Sequence, residues 1–171
     1  KSIDQKPKLT LSLSPTLLSL LSDEDLKKRF PEWIAIRLNL LTNRPKEEDL
    51  PAKHLTTYIQ KQLNNWTRYK GDLIKRFGGL QKQKTVDIIT CAATHGYLPL
   101  LRETPEAVRG QIKTAVREHQ RFFKTKPQGI WLPECAYYEG LDELLKESQL
   151  RYTVLDGHGV LHSKPRPRYG I

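Results

Sequence analysis

Glu134 lies in the run Gly129-Ile130-Trp131-Leu132-Pro133-Glu134-Cys135-Ala136-Tyr137-Tyr138. A short apolar stretch stops there in a proline and a single carboxylate, followed by a thiol and two aromatics. Proline cannot donate to a sheet ladder, so a strand that runs into one ends. Glu134 is therefore expected just past the carboxyl end of a strand, the edge where barrels and open α/β sheets place their chemistry. Trp131, Tyr137 and Tyr138 add amphipathic ring surface beside it, a combination suited to gripping a sugar ring. The competing reading of Glu134 is an acid in the first turn of a helix, placed there by the macrodipole.

Two other turns carry reactive groups among small residues. Cys91 and His95 follow the β-branched run Val86-Asp87-Ile88-Ile89-Thr90, and Asp156 and His158 follow Tyr152-Thr153-Val154-Leu155. Parallel strands all point one way, so turns after successive strands converge on one face. A carboxylate, two imidazoles and a second acid arriving from separate turns match the anatomy of a barrel active site. Each has a plainer reading. His95 and His158 can be structural histidines bonded to backbone, and Cys91 and Cys135 can be small core residues. His119, mid-helix, and His54, read as preceding a helix, are expected at the surface.

Cys91, His95, Cys135, Asp156, His158 and His162 are chemically adequate metal ligands. Their spacing matches no metal motif, so no metal is expected. Gly78-Gly79 lacks the Lys-Ser/Thr sequel of a phosphate loop, and there is no Gly-x-Ser-x-Gly elbow for a serine hydrolase. No cofactor is implied.

The elements that must position these groups read as strand followed by helix. Lys8 to Leu13 alternates polar and apolar, a period-2 strand, with Ser14-Pro15-Thr16 as its break. Val86–Thr90, Gln128–Leu132 and Tyr152–Leu155 are the other three strands. Ser22-Asp23-Glu24-Asp25 is a cap with an acidic first turn, and Thr104-Pro105-Glu106 places proline at a first helical position. From there Val108, Ile112, Ala115, Val116, Phe122 and Phe123 form one apolar stripe. Leu141, Leu144 and Leu145 repeat it after Gly140. Pro31 to Leu80 is expected to be helical, with a loop at Arg44-Pro45 and Glu48 to Pro51 and an end at Gly78-Gly79. This order predicts α/β architecture with parallel strands, a partial barrel, in a single domain over residues 1–171.

The chain has 171 residues and 37% apolar residues, enough for one domain with a core. It has no apolar run long enough to cross a bilayer and no segment resembling a signal peptide. Its two cysteines do not make a disulfide framework, so a reducing, cytoplasmic setting is expected. The charge of +10 raises nucleic acid as a partner. The cations are scattered on expected helix exteriors, among them Lys27, Lys28, Arg29, Lys61, Arg68, Lys82, Lys84, Lys124, Lys126, Arg166 and Arg168, and no nucleic-acid motif accompanies them. A sugar binder, not a nucleic-acid or membrane binder, is the expectation. Oligomeric state is not legible. The chain contains no Met and ends on Tyr169-Gly170-Ile171, and it reads as an internal piece of a longer protein.

Three stretches carry a family resemblance. Ile88 to Leu101, with its Thr-His-Gly-Tyr-Leu-Pro, Gly129 to Tyr137, with its Trp-Leu-Pro-Glu-Cys-Ala-Tyr, and Asp156 to Val160 resemble conserved regions of glycoside hydrolase family 57, in particular its α-1,4-glucan branching enzymes. Leu9 to Leu18 is similar to the family's early strand. The resemblance implies a (β/α)7 TIM-like barrel and a retaining mechanism on α-glucans, with Glu134 as nucleophile and His95, Trp131, Cys135, Tyr137 and His158 as substrate-binding residues. It implies an acid/base aspartate in a later Tyr-Asp motif, which this sequence lacks, together with the family's first, His-rich region. The chain is therefore expected to be the incomplete N-terminal part of a catalytic barrel, inactive alone. The same family's α-amylases and 4-α-glucanotransferases, and a non-catalytic glucan-binding barrel relic, are the alternatives.

Overall fold

A computed structural model describes residues 8–43 and 49–166. The expected loop at Arg44-Pro45 and Glu48 and the final Tyr169-Gly170-Ile171 lie outside the described residues, whereas Asp49 to Pro51, expected in that loop, form the first turn of a helix. The elements run β1 (Leu9–Ser12), α1 (Pro15–Ser22), α2 (Glu24–Thr42), α3 (Asp49–Arg68), α4 (Leu73–Lys82), β2 (Val86–Cys91), α5 (Leu98–Leu101), α6 (Pro105–Phe123), β3 (Gly129–Trp131), α7 (Leu141–Glu147), β4 (Tyr152–Val154) and α8 (Gly157–Leu161). A 3-10 turn, Pro133–Cys135, follows β3. By packing, the described residues up to Leu18 join those from Leu80 onward in one unit, and those between Ser19 and Gly79 form a second.

In the first unit the four strands make one sheet in the order β1-β2-β3-β4, parallel throughout. The register pairs Ser12 with Ile89, Cys91 with Trp131, and Trp131 with Val154. Alternate residues of a strand face opposite sides. The Thr90 hydroxyl bonds the Ala115 carbonyl of α6, and Ile130 joins the core of Ala92, Val108, Ile112, Leu132, Leu141 and Leu145. Thr90 and Ile130 thus face α6 and α7, which leaves Cys91 and Trp131 on the other face. Arg109 of α6 and Glu147 of α7 pair at 3.1 Å, and each keeps the other charged.

His119 is buried on α6 and not at the surface as expected. Nδ1 lies 2.9 Å from the Thr125 carbonyl and Nε2 3.1 Å from the Ile88 carbonyl of β2. Its position on the stripe of Ile112 and Ala115 turns it to the sheet, where backbone carbonyls satisfy it.

In the second unit α2 runs from the Asp23 cap, whose carboxylate accepts from Leu26 N at 2.8 Å, straight through Pro31. The missing proline donor costs the helix a bond, and packing offsets it. Phe30 lies 4.4 Å from the Trp66 ring of α3, and Ile34 and Leu41 are buried. His54 lies within α3, not before a helix, and is exposed.

Two other expected boundaries move. Ser14-Pro15-Thr16 ends β1 but also begins α1, with Pro15 in its first turn. Gly78-Gly79 does not end α4, which continues to Lys82.

Candidate functional site

The site is built where β2 and β3 end. After β2, the Ala93-Thr94-His95 turn is clamped by Gln111 of α6. Thr94 N donates to Gln111 Oε1 at 2.9 Å, Gln111 Nε2 donates to Thr94 Oγ1 at 2.8 Å, and Ala93 N donates to the Gln111 carbonyl at 3.3 Å. A side chain on Gly96 would meet Leu101 at 3.2 Å and Gln111 at 3.4 Å, so the turn packs closely on the helices behind it. His95 sits in this turn at φ 58°.

After β3, Leu132 is extended and Pro133 opens the 3-10 turn, as a residue before proline requires. Cys135 N donates to the Leu132 carbonyl at 2.9 Å and Ala136 N to the Pro133 carbonyl at 3.1 Å. Glu134 takes φ 57° and Cys135 φ 52°. Left-handed backbone is uncommon away from glycine and costs on the order of 1–3 kcal/mol per residue. Here three such residues, His95, Glu134 and Cys135, meet at one edge. Glu134 is therefore not the first-turn acid of an α-helix.

The two turns join through side chains. His95 Nε2 lies 3.3 Å from Glu134 Oε1, and His95 Nδ1 lies 3.4 Å from Cys91 Sγ. Burial pushes the Cys91 thiol up to about 11, against a lesser opposing pull from the Ala92 backbone, so it stays protonated. Burial, then the charges of Asp156 and Glu134, raise the Cys135 thiol as well. Cys91 and Glu134 contact opposite nitrogens of His95, so the three cannot converge on one ion. Among the described residues no group of three or more His, Cys, Asp or Glu is placed to hold a metal.

The other expected residues are placed less uniformly. Trp131 ends β3, half-buried, on the face of Cys91. The Tyr137 hydroxyl donates to Asp142 at 2.8 Å, with its ring exposed. His158 lies on α8 and is exposed. Among the described residues no hydrogen bond ties it to Glu134 or His95. The turn expected around it is a short helix. Gln111 escaped the sequence reading, because a glutamine on a helix's partly covered side carries no signal of what it clamps.

A parallel sheet of strand–helix units, with a histidine-bonded carboxylate at its carboxyl edge, is the arrangement shared by α/β proteins that place their chemistry at strand ends. The family model of glycosyl hydrolase family 57 matches residues 7–170, and the chain belongs to that family. It is 35% identical to the 1,4-alpha-glucan branching enzyme TK1436 of Thermococcus kodakarensis over 95% of its own length and 26% of that protein's. Among solved structures it is similar to the alpha-amylase AmyC of Thermotoga maritima (32% identity, TM-score 0.85, 97% of this chain and 33% of that one). It is also similar to the GH57-type branching enzyme of Pyrococcus horikoshii (28% identity, TM-score 0.80, 86% and 31%). The chain thus spans about a quarter to a third of the length of these relatives. The family resemblance and the α/β fold with parallel strands expected from the sequence hold.

Proposed function

We propose that this chain is the N-terminal part of the catalytic barrel of a retaining 1,4-α-glucan branching enzyme, acting in the cytoplasm on glycogen- or starch-type glucans. In this reading Glu134 attacks the anomeric carbon of an α-1,4 linkage. The departing O-4 takes a proton from a second carboxylic acid, and a glycosyl ester forms on Glu134. The 6-hydroxyl of an acceptor chain then attacks that ester and gives its proton back to the second carboxylate. Retention needs the two carboxyl groups about 5–5.5 Å apart. Asp156 lies near Cys135 but in a context unlike the family's acid/base, so the partner acid is assigned to a later part of the protein, and the 171 residues alone are inactive.

The observation that carries this reading is the placement of Glu134. Its carboxylate sits in a left-handed turn at a strand's carboxyl end, within hydrogen-bond reach of His95 from the neighbouring strand. Trp131 and Tyr137 offer ring faces to glucose, with Tyr137 anchored through Asp142. Cys135 and His158 complete the proposed contacts to the sugar.

Glu134→Gln in the full-length enzyme keeps shape and removes the nucleophile. We expect turnover to fall at least 10³-fold, the scale of losing an activated nucleophile. Retention of a tenth or more of wild-type activity takes Glu134 out of the mechanism. The likeness to AmyC favours α-amylase as the second reading. Linkage analysis of products separates them: new α-1,6 branches mean transfer to O-6, and short linear α-1,4 sugars mean hydrolysis.

A further inference from the structure

We propose that Cys91 is a positioning residue for the nucleophile: its S–H donates to His95 Nδ1, which directs the other ring proton, on Nε2, at the Glu134 carboxylate. This inference rests on Glu134 being the nucleophile. The geometry is a chain of two contacts, 3.4 Å from Sγ to Nδ1 and 3.3 Å from Nε2 to Oε1. It links the end of β2 to the turn after β3.

The donor and acceptor roles follow from chemistry. A neutral imidazole has one N–H and one lone pair. An ionised carboxylate only accepts, so the nitrogen facing Glu134 must carry the proton, and Nδ1 is left as the acceptor. A buried, protonated thiol is the group that complements a lone pair on Nδ1. The reverse tautomer would aim Nδ1–H at sulfur, a weak acceptor, and set the Nε2 lone pair against the carboxylate. A second nitrogen's partner commonly decides which nitrogen of a histidine is protonated.

The surroundings leave His95 few alternatives. Its backbone takes φ 58° in the turn that the bidentate Gln111–Thr94 clamp holds, so the Cα–Cβ bond leaves an anchored turn. Cys91 is buried and comes from a paired strand, whereas the His95 ring and Glu134 are largely exposed. The thiol is thus the anchored end of the chain and the carboxylate its free end.

The first test is spectroscopic, on the full-length protein, and independent of activity. The Cys91 S–H stretch, identified by difference infrared spectra against Cys91→Ser, should lie at the lowered frequency of a hydrogen-bond donor and shift up in His95→Ala. An S–H band unchanged by His95→Ala overturns the proposal. The second test is kinetic. Cys91→Ala should lower kcat about three- to tenfold with KM moved less than twofold, the scale of one hydrogen bond. Cys91→Ser, which restores a donor, should recover kcat to within twofold of wild type. Wild-type kcat in Cys91→Ala, or equal losses in both variants, also overturns it. An active Glu134→Gln variant instead removes the proposed function, and the S–H band still decides whether Cys91 bonds His95.

Discussion

The Tyr152 ring lies where a side chain on Gly129 would be. A Cβ at that position would come within 2.5 Å of two ring carbons. Only glycine lets Tyr152 of β4 cross β3, and the hydroxyl donates to the Asp87 carboxylate on β2. Burial, reinforced by Asp87, pushes the Tyr152 phenol up to about 12. Gly129→Ala must move the ring and break this link, at a cost of about 1–3 kcal/mol for overpacking. Urea unfolding should show that loss. Spectrophotometric titration against Tyr152→Phe should show one phenol ionising nearer the ordinary value of 10. Unchanged titration would mean that the ring adapts without leaving Asp87. Glu134 was legible at this scale because Pro133 marks a strand end in any fold. The Cys91–His95–Glu134 chain was not, since it depends on φ values and on pairing across 39 residues. Neither leaves a mark in residue type.

At the scale of elements, α6 carries the one fully buried histidine among the described residues. Burial lowers His119 below its ordinary 6.5 and outweighs the two carbonyls and Asp87, which favour the charged ring. A group whose folded value is depressed in this way takes up its proton more readily in the unfolded chain. Its contribution is full above about 6.5 and is lost as pH falls below it. The urea midpoint of the wild type should therefore fall more between pH 7.5 and pH 5.5 than that of His119→Gln. Parallel pH profiles for the two would show that burial is not the governing cause. Strands were legible from period and β-branching, and all four appear where expected. The end of α4 lies beyond the Gly78-Gly79 that the sequence offers for it. The rule looks for glycine in the left-handed cap, but α3, α4, α6 and α7 are followed by left-handed Lys70, Lys84, Lys124 and Gln149. After α4, Lys84 N bonds the Gln81 carbonyl and Thr85 N the Leu80 carbonyl, which closes the helix beyond Gly78-Gly79. Pro31, expected to begin a helical span, lies inside α2, where the Phe30–Trp66 contact packs the helix against α3.

At the scale of the molecule, the sheet has two open margins. Among the described residues β1 pairs only with β2 and β4 only with β3. Leu9 on β1 and Val154 and Leu155 at the end of β4 are exposed apolar residues beside unpaired backbone donors and acceptors. Such margins recruit other strands. In the proposed full barrel further strands would cover both, and the 171 residues made alone would present them to each other. Sedimentation of that chain should show mass rising with concentration, while the full-length enzyme keeps one mass over the same range. Val154→Lys puts a charge on the β4 margin, a device natural sheets use against edge pairing, and should return the short chain toward a monomer. Association that ignores this substitution would place the contact elsewhere. The exposed Trp33, Ile36 and Leu40 on α2 would then be the next face to test. A short chain that stays monomeric at every concentration would show that these margins are covered without further strands, and would count against the partial-barrel reading.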